Sequence, residues 1–106
     1  MRKWLLLLAA ILLEVTATLS LRGALDHPAL YALVAVGYLG SFAALSLVLR
    51  AGMALGVAYG IWAASGIALT AITARALFRE PLTKVMGAGI GLIIAGVLFI
   101  ELGAAH

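Results

Sequence analysis

Four long apolar runs, separated by short polar punctuation, make up nearly the whole chain. The first extends from Trp4 to Leu21, WLLLLAAILLEVTATLSL, and holds one ionisable side chain, Glu14, near its middle. The second covers residues 29–49 and the third residues 54–74, both without a charge, and the fourth covers residues 85–100. Runs of this length read as membrane-spanning helices. A transmembrane β-barrel requires period-two alternation of apolar and polar positions, which these runs lack.

The punctuation fits the same reading. Arg22 to Pro28 forms a polar turn, with Asp26 placed to cap the next helix and Pro28 suited to a first helical turn. Arg50-Ala51-Gly52 closes the second span, and Pro81, between Arg79 and Lys84, breaks the chain before the fourth. The fourth run is short, about 24 Å at ~1.5 Å per residue against a ~30 Å hydrocarbon core, with Lys84 and Glu101 marking its two interfaces. The expected fold class is an all-α membrane protein with four transmembrane helices per subunit, residues 1–106 forming a single domain.

Composition points the same way. Of 106 residues, 66% are hydrophobic and 10% charged, more apolar side chain than a soluble domain of this size has interior to hide. The net charge of +3 comes from basic residues at the ends of apolar runs, the position of topology and headgroup anchors rather than a nucleic-acid footprint. The absence of cysteine excludes disulfides, thiol chemistry and thiolate metal sites. His27 and His106 are far apart and have no partner at metal-ligand spacing, so no metal and no cofactor are expected. No nucleophile–base pair or phosphate loop suggests an enzyme. Arg2-Lys3 before leucines resembles a secretory signal, but the run holds a Glu and no clear small-residue cleavage site, so it is expected to stay in the mature protein.

Four spans put both ends of the chain on one side. Arg2, Lys3 and Arg50 then oppose Arg22, Arg75, Arg79 and Lys84, three basic residues against four. So small a bias permits insertion either way up as well as a weak preference for loops 1 and 3 inside. Four helices enclose no large aqueous cavity by themselves, so a transport path is expected between subunits, in a dimer at least.

Candidate chemistry centres on Glu14. A carboxylate at mid-bilayer depth is expensive, and such residues face a bundle interior or a water-filled path. The other acids, Asp26, Glu80 and Glu101, lie in loops or near a helix end. Low dielectric disfavours a charged carboxyl and a nearby cation favours it, so one carboxyl that serves proton and cation in turn is the minimum apparatus for proton-coupled exchange. On a helix, Glu14 shares a face with Trp4, Leu7, Ala10, Ile11, Ala17 and Thr18, the two alanines leaving room and Thr18 offering a hydroxyl. Tyr38 and Ser41 in span 2, and Tyr59 and Trp62 in span 3, are each three apart on one face. Their rings offer π faces to a cation, and a Tyr hydroxyl offers a hydrogen bond to Glu14; interface anchoring or core filling is the alternative. Gly56, Gly60 and Gly66 permit close packing or a bend in span 3. In span 4, Gly87, Gly91 and Ala95 form one small-residue ridge and Gly89 and Gly96 a second, which reads as a dimerisation helix, with packing inside one subunit as the alternative.

These residues together resemble the small multidrug resistance family over essentially the whole chain. Leu13-Glu14-Val15-Thr16-Ala17-Thr18 is similar to the family's Glu motif with its following Thr. Gly56-Val57-Ala58-Tyr59-Gly60-Ile61-Trp62 resembles the signature of its third helix, Gly37 to Phe42 its second-helix Tyr and Ser region, and Gly89 and Gly96 its spaced fourth-helix glycines. The resemblance implies an antiparallel homodimer, or a heterodimer of related chains, exporting hydrophobic and quaternary ammonium cations across the bacterial inner membrane in exchange for protons. It implies that Glu14 binds proton and cation competitively, that Tyr59 and Trp62 line the site, and that Trp4, Ala10, Thr18, Tyr38 and Ser41 surround it. Ala54 replaces a common Pro, Ala64 a common Gly, and Arg75 and Glu101 common uncharged residues. Ala17 stands where the guanidinium-exporting branch usually has Trp, which favours the quaternary-ammonium branch. The alternatives are export of guanidinium-type cations or polyamines, and a non-autonomous subunit of a heteromeric pair.

Overall fold

The computed structural model describes residues 2–104, so His106 lies outside the described residues. Four α-helices follow one another: α1 (Arg2–Ala24), α2 (Tyr31–Arg50), α3 (Leu55–Phe78) and α4 (Lys84–Ala104), with one 3-10 turn, Pro28–Leu30, before α2. All four are long and apolar enough to cross a membrane, and no strand occurs among the described residues. Helices are the natural outcome, because hydrocarbon offers no partner to a backbone N–H or C=O and a helix satisfies both within the segment.

The helices outrun the apolar runs. The fourth run looked short, but α4 takes in Lys84 and Glu101 and reaches 21 residues. At ~1.5 Å per residue that is about 31 Å, a full hydrocarbon thickness. Long side chains let a helix extend into the headgroup region with its charges turned to water. Likewise α1 continues through Arg22 to Ala24, leaving a tighter first connection than the expected polar turn. Asp26 caps nothing: His27 and Leu30 hold the two N-cap positions, neither with a side-chain cap bond, while Pro28 does open the 3-10 turn.

The α2–α3 connection closes in a Schellman arrangement. Gly52 N–H donates to Leu49 C=O at 3.1 Å and Met53 N–H to Val48 C=O at 3.4 Å. Gly52 has φ +104°, a conformation that needs the missing Cβ. Met53 and Val48, brought together by this closure, are both buried.

The helices form a slab of 46 × 34 × 17 Å. α1 packs along α2 and against α3, while α4 packs against α3 alone. The core joins Leu7, Ala10, Ile11 and Val15 of α1 to Ala44, Leu45 and Val48 of α2, Met53, and Ala58, Ile61 and Trp62 of α3. It fills the end of the bundle nearer the α2–α3 connection. Toward the other connections the buried residues outside this cluster are mainly small, Ala17, Ala24, Ala68 and Ala74 among them, and the helices part into a cleft. Glu14 sits where the core ends and the cleft begins.

Candidate functional site

Glu14 lies near the middle of α1 and its two carboxyl oxygens have different surroundings. Thr18, one turn further on, donates its hydroxyl to Oε1 at 3.0 Å. The Thr18 hydroxyl is also 2.7 Å from the Tyr38 hydroxyl of α2. A hydroxyl has one proton to give, so with Thr18 donating to Glu14, Tyr38 donates to Thr18. The chain Tyr38 to Thr18 to Glu14 therefore points its donors at one oxygen. The other, Oε2, is buried with no hydrogen-bond partner. It lies against Gly66 of α3, where any Cβ would overlap it.

One turn toward the core, a second polar group fixes the aromatic wall. Ser41 donates to the Ala10 carbonyl at 2.7 Å, and Trp62 Nε1 donates to Ser41 Oγ at 3.0 Å, with the Ala10 carbonyl also 3.3 Å away. All three residues are buried. Polar groups in a dry core must be paired, and here each partner satisfies the next. The Trp62 ring, so oriented, meets the rings of Phe42 and Tyr59 at centroid distances of 5.5 and 5.6 Å. Tyr59 itself is 55% exposed, so its ring is open to whatever adjoins the subunit.

These contacts fix the register. Ala10 meets Trp62 and Glu14 meets Gly66, a four-residue step on both helices, so α1 and α3 run parallel and stay level. The next turn brings Thr18 and Thr70 to the same height, and both line, with Glu14, a cleft of about 320 Å³. Ile67, Ala71, Ala74 and Met86 supply apolar walls, and Glu80 and Pro81 of the α3–α4 connection stand at its outer end. Glu80 pairs there with Arg22 Nε at 3.2 Å, and the Arg22 guanidinium lies 5.8 Å from the centre of the Phe78 ring.

Of the residues picked out in the sequence, Glu14, Thr18 and Tyr38 form one group and Ala10, Ser41 and Trp62 the adjoining one, with Tyr59 against Trp62. Ala10 contributes its carbonyl; its methyl is enclosed. Ala17 gives its room to α2 rather than to a ligand, since a Cβ on Gly37 would lie 2.8 Å from the Ala17 methyl. Trp4 stands apart, in a cleft of about 400 Å³ with Lys3, Met53 and Glu101. Gly89 and Gly96 face open space in the subunit on their Cβ side, a Cβ at either having no neighbour within 4 Å. Thr70, whose buried hydroxyl has no partner, escapes the sequence reading, and Gly66, read there as permitting close packing or a bend, turns out to pack against the Glu14 carboxyl itself. The series Trp62, Gly66, Thr70 at constant four-residue spacing is the signal by which they can be found.

The chain matches the family model described as Small Multidrug Resistance protein over residues 2–93. It is 39% identical over 105 residues to a multidrug resistance protein, mmr, of Mycolicibacterium paratuberculosis, covering 97% of this chain and 98% of that one. It is 41% identical over 104 residues to the multidrug transporter PA4990 of Pseudomonas aeruginosa, covering 96% and 94%. It is 36% identical over 104 residues to the quaternary ammonium compound-resistance protein QacE of Escherichia coli, with the same two coverages of 96% and 94%.

Proposed function

The chain belongs to the small multidrug resistance family, and from that membership we propose that it exports hydrophobic and quaternary ammonium cations across the bacterial inner membrane in exchange for protons. The observation that carries this reading is the Glu14 carboxyl, half tied and half free, at the middle of a span. Thr18 and Tyr38 hold Oε1 and fix the plane of the group. Oε2 is left to take a proton or to face a cation. One oxygen cannot do both at once, so the two ligands exclude each other, and their alternation couples the two flows. Trp62, locked by Ser41, and Tyr59, with its open ring, supply π faces that attract a desolvated cation without hydrogen bonds. That suits quaternary ammonium, which has no N–H to donate. Residues Ala10 and Ser41 act by holding Trp62, and Trp4 joins the binding surface from the other end of the subunit.

The full site belongs to a dimer in this reading. A slab 17 Å thick encloses no closed chamber, and no residue between Lys84 and Gly103 of α4 is buried within the subunit. The open backbone at Gly89 and Gly96 lets a second α4 approach closely, which is how spans associate when lipid is as apolar as leucine. An antiparallel homodimer places two Glu14 carboxyls on one shared cavity. A heterodimer with a related chain is the second reading, favoured by Arg75 and Glu101: both are exposed and neither enters an ion pair among the described residues. Selective export of guanidinium-type cations or polyamines is the other variant, favoured by Oε2, an acceptor without a hydrogen-bond donor of its own.

Reconstituted in proteoliposomes, the wild type is expected to take up tetraphenylphosphonium when the lumen is acidic relative to the bath. Binding should weaken as pH falls, since protons compete for the same oxygen, and Glu14→Gln should abolish both uptake and the pH dependence. Equal transport by wild type and Glu14→Gln would sink the proposal.

A further inference from the structure

Among the described residues, two buried side-chain polar atoms have no hydrogen-bond partner: Glu14 Oε2 and Thr70 Oγ1. They come from different helices, yet both belong to residues lining the same cleft. A buried, unpaired polar atom is costly, and native structures satisfy such atoms with ordered water when protein offers nothing. Two orphans on residues of one cleft call for the polar partner that a water supplies, and the cleft, about 320 Å³, has room for it. Gly66 and Thr70 are successive turns of one face of α3, so the Thr70 hydroxyl stands one turn beyond the carboxyl in the direction of Glu80.

We propose that Thr70 and Glu14 together hold water in this cleft, and that this water joins the Glu14 carboxyl to the aqueous phase at the end of the bundle marked by Glu80 and Arg22. The path is separate from the aromatic wall. Trp62 lies one turn from Gly66 in the opposite direction, so protons and cations reach Glu14 from different sides. The titratable and charged groups facing Glu14 are few: Tyr38 of α2 through Thr18, Glu80 at the outer end of the cleft, and Arg22 paired with Glu80. α3 lines the cleft with Ile67, Thr70, Ala71 and Ala74, none of them titratable, so the Thr70 hydroxyl is the polar group on that wall able to carry a water chain past the methyls. Thr70 is a positioning residue, acting on Glu14 through water.

The role in proton delivery rests on the exchange reading above, whereas the hydration of the cleft does not, and two measurements separate them. The chain has no cysteine, so Thr70→Cys carries its sole thiol. In proteoliposomes this thiol is expected to react with a small water-soluble methanethiosulfonate, while Leu39→Cys, on an outward apolar face, stays at background. Labelling of Thr70→Cys no faster than that background overturns the water site. Proton release on adding tetraphenylphosphonium is then followed by stopped flow in weakly buffered nanodiscs. Thr70→Val should release as many protons as wild type but more slowly, by about three- to tenfold, the scale of one net hydrogen bond. Thr70→Ser should restore the rate. A wild-type rate in Thr70→Val overturns the proton path. No release from wild type itself, with Thr70→Cys labelled, would instead fell the exchange reading and leave a hydrated cleft.

Discussion

The Glu14 carboxyl rests on the bare backbone of Gly66, Oε2 occupying the space that any larger residue on α3 would fill. Neither partner has room to retreat, because the far side of the carboxyl is tied to Thr18 and through it to Tyr38. Gly66→Ala is therefore expected to expel the carboxyl from its seat and break the Thr18 bond. Overpacking of this kind costs about 1–3 kcal/mol, or roughly fivefold to 150-fold in affinity if it falls wholly on binding. Isothermal titration with tetraphenylphosphonium checks this, and circular dichroism should show the helices intact. Unchanged affinity would mean that Glu14 does not depend on Gly66.

Ser41→Ala should loosen Trp62 without touching Glu14. The substitution removes a donor to the Ala10 carbonyl and an acceptor from Trp62 Nε1, leaving only the longer 3.3 Å contact. A buried hydrogen bond lost with one partner left behind costs about 1–3 kcal/mol. In a Trp4→Phe background, Trp62 is the sole tryptophan, so its emission should shift and its quenching by acrylamide should rise. An unaltered spectrum with full stability would contradict the paired arrangement.

Gly96→Leu separates subunit folding from assembly. A Cβ there has no neighbour within 4 Å inside the subunit, so helix content should be retained. If α4 mates with a second α4, the same leucine holds the two backbones apart, and energy transfer between labelled subunits in bicelles should fall. Undiminished transfer would move the interface elsewhere.

Arg79 ends α3 in the left-handed region, φ 54° and ψ 31°, while the next N–H, of Glu80, returns to the Ala74 carbonyl at 3.4 Å. This is a glycine's position filled by a residue with a Cβ, at a cost of about 1–2 kcal/mol. Arg79→Gly should therefore raise thermal stability in detergent, with the stabilisation at the lower end of that range because the glycine gives back some chain entropy on folding. Arg79→Ala, which removes the charge and keeps the strain, should not. A rise in both variants would assign the effect to charge.

How much of this was readable from the chain differs between its parts. The four helices were, since runs of apolar residues in a solvent without hydrogen bonds admit little else, and the lone mid-span acid drew attention to itself. The helix ends were less so. Composition marks where a chain stops being greasy, whereas hydrogen bonding decides where a helix stops, and α4 carries on through Lys84 and Glu101. Ala17 was misjudged as free space because spacing on one helix says nothing about which neighbour presses on it.

The sequence by itself determined the number of spans, their order, the family and the identity of the one carboxyl that hydrocarbon cannot solvate. Only the tertiary structure decided that Gly66 seats it, that Tyr38 reaches it through Thr18, that Ser41 binds Trp62 instead, and that Thr70 shares its cleft. The reason is that these helices are apolar on nearly every side. A polar stripe would have fixed each helix's rotation; without one, rotation is set by which small residues let two backbones meet, and that depends on both partners at once.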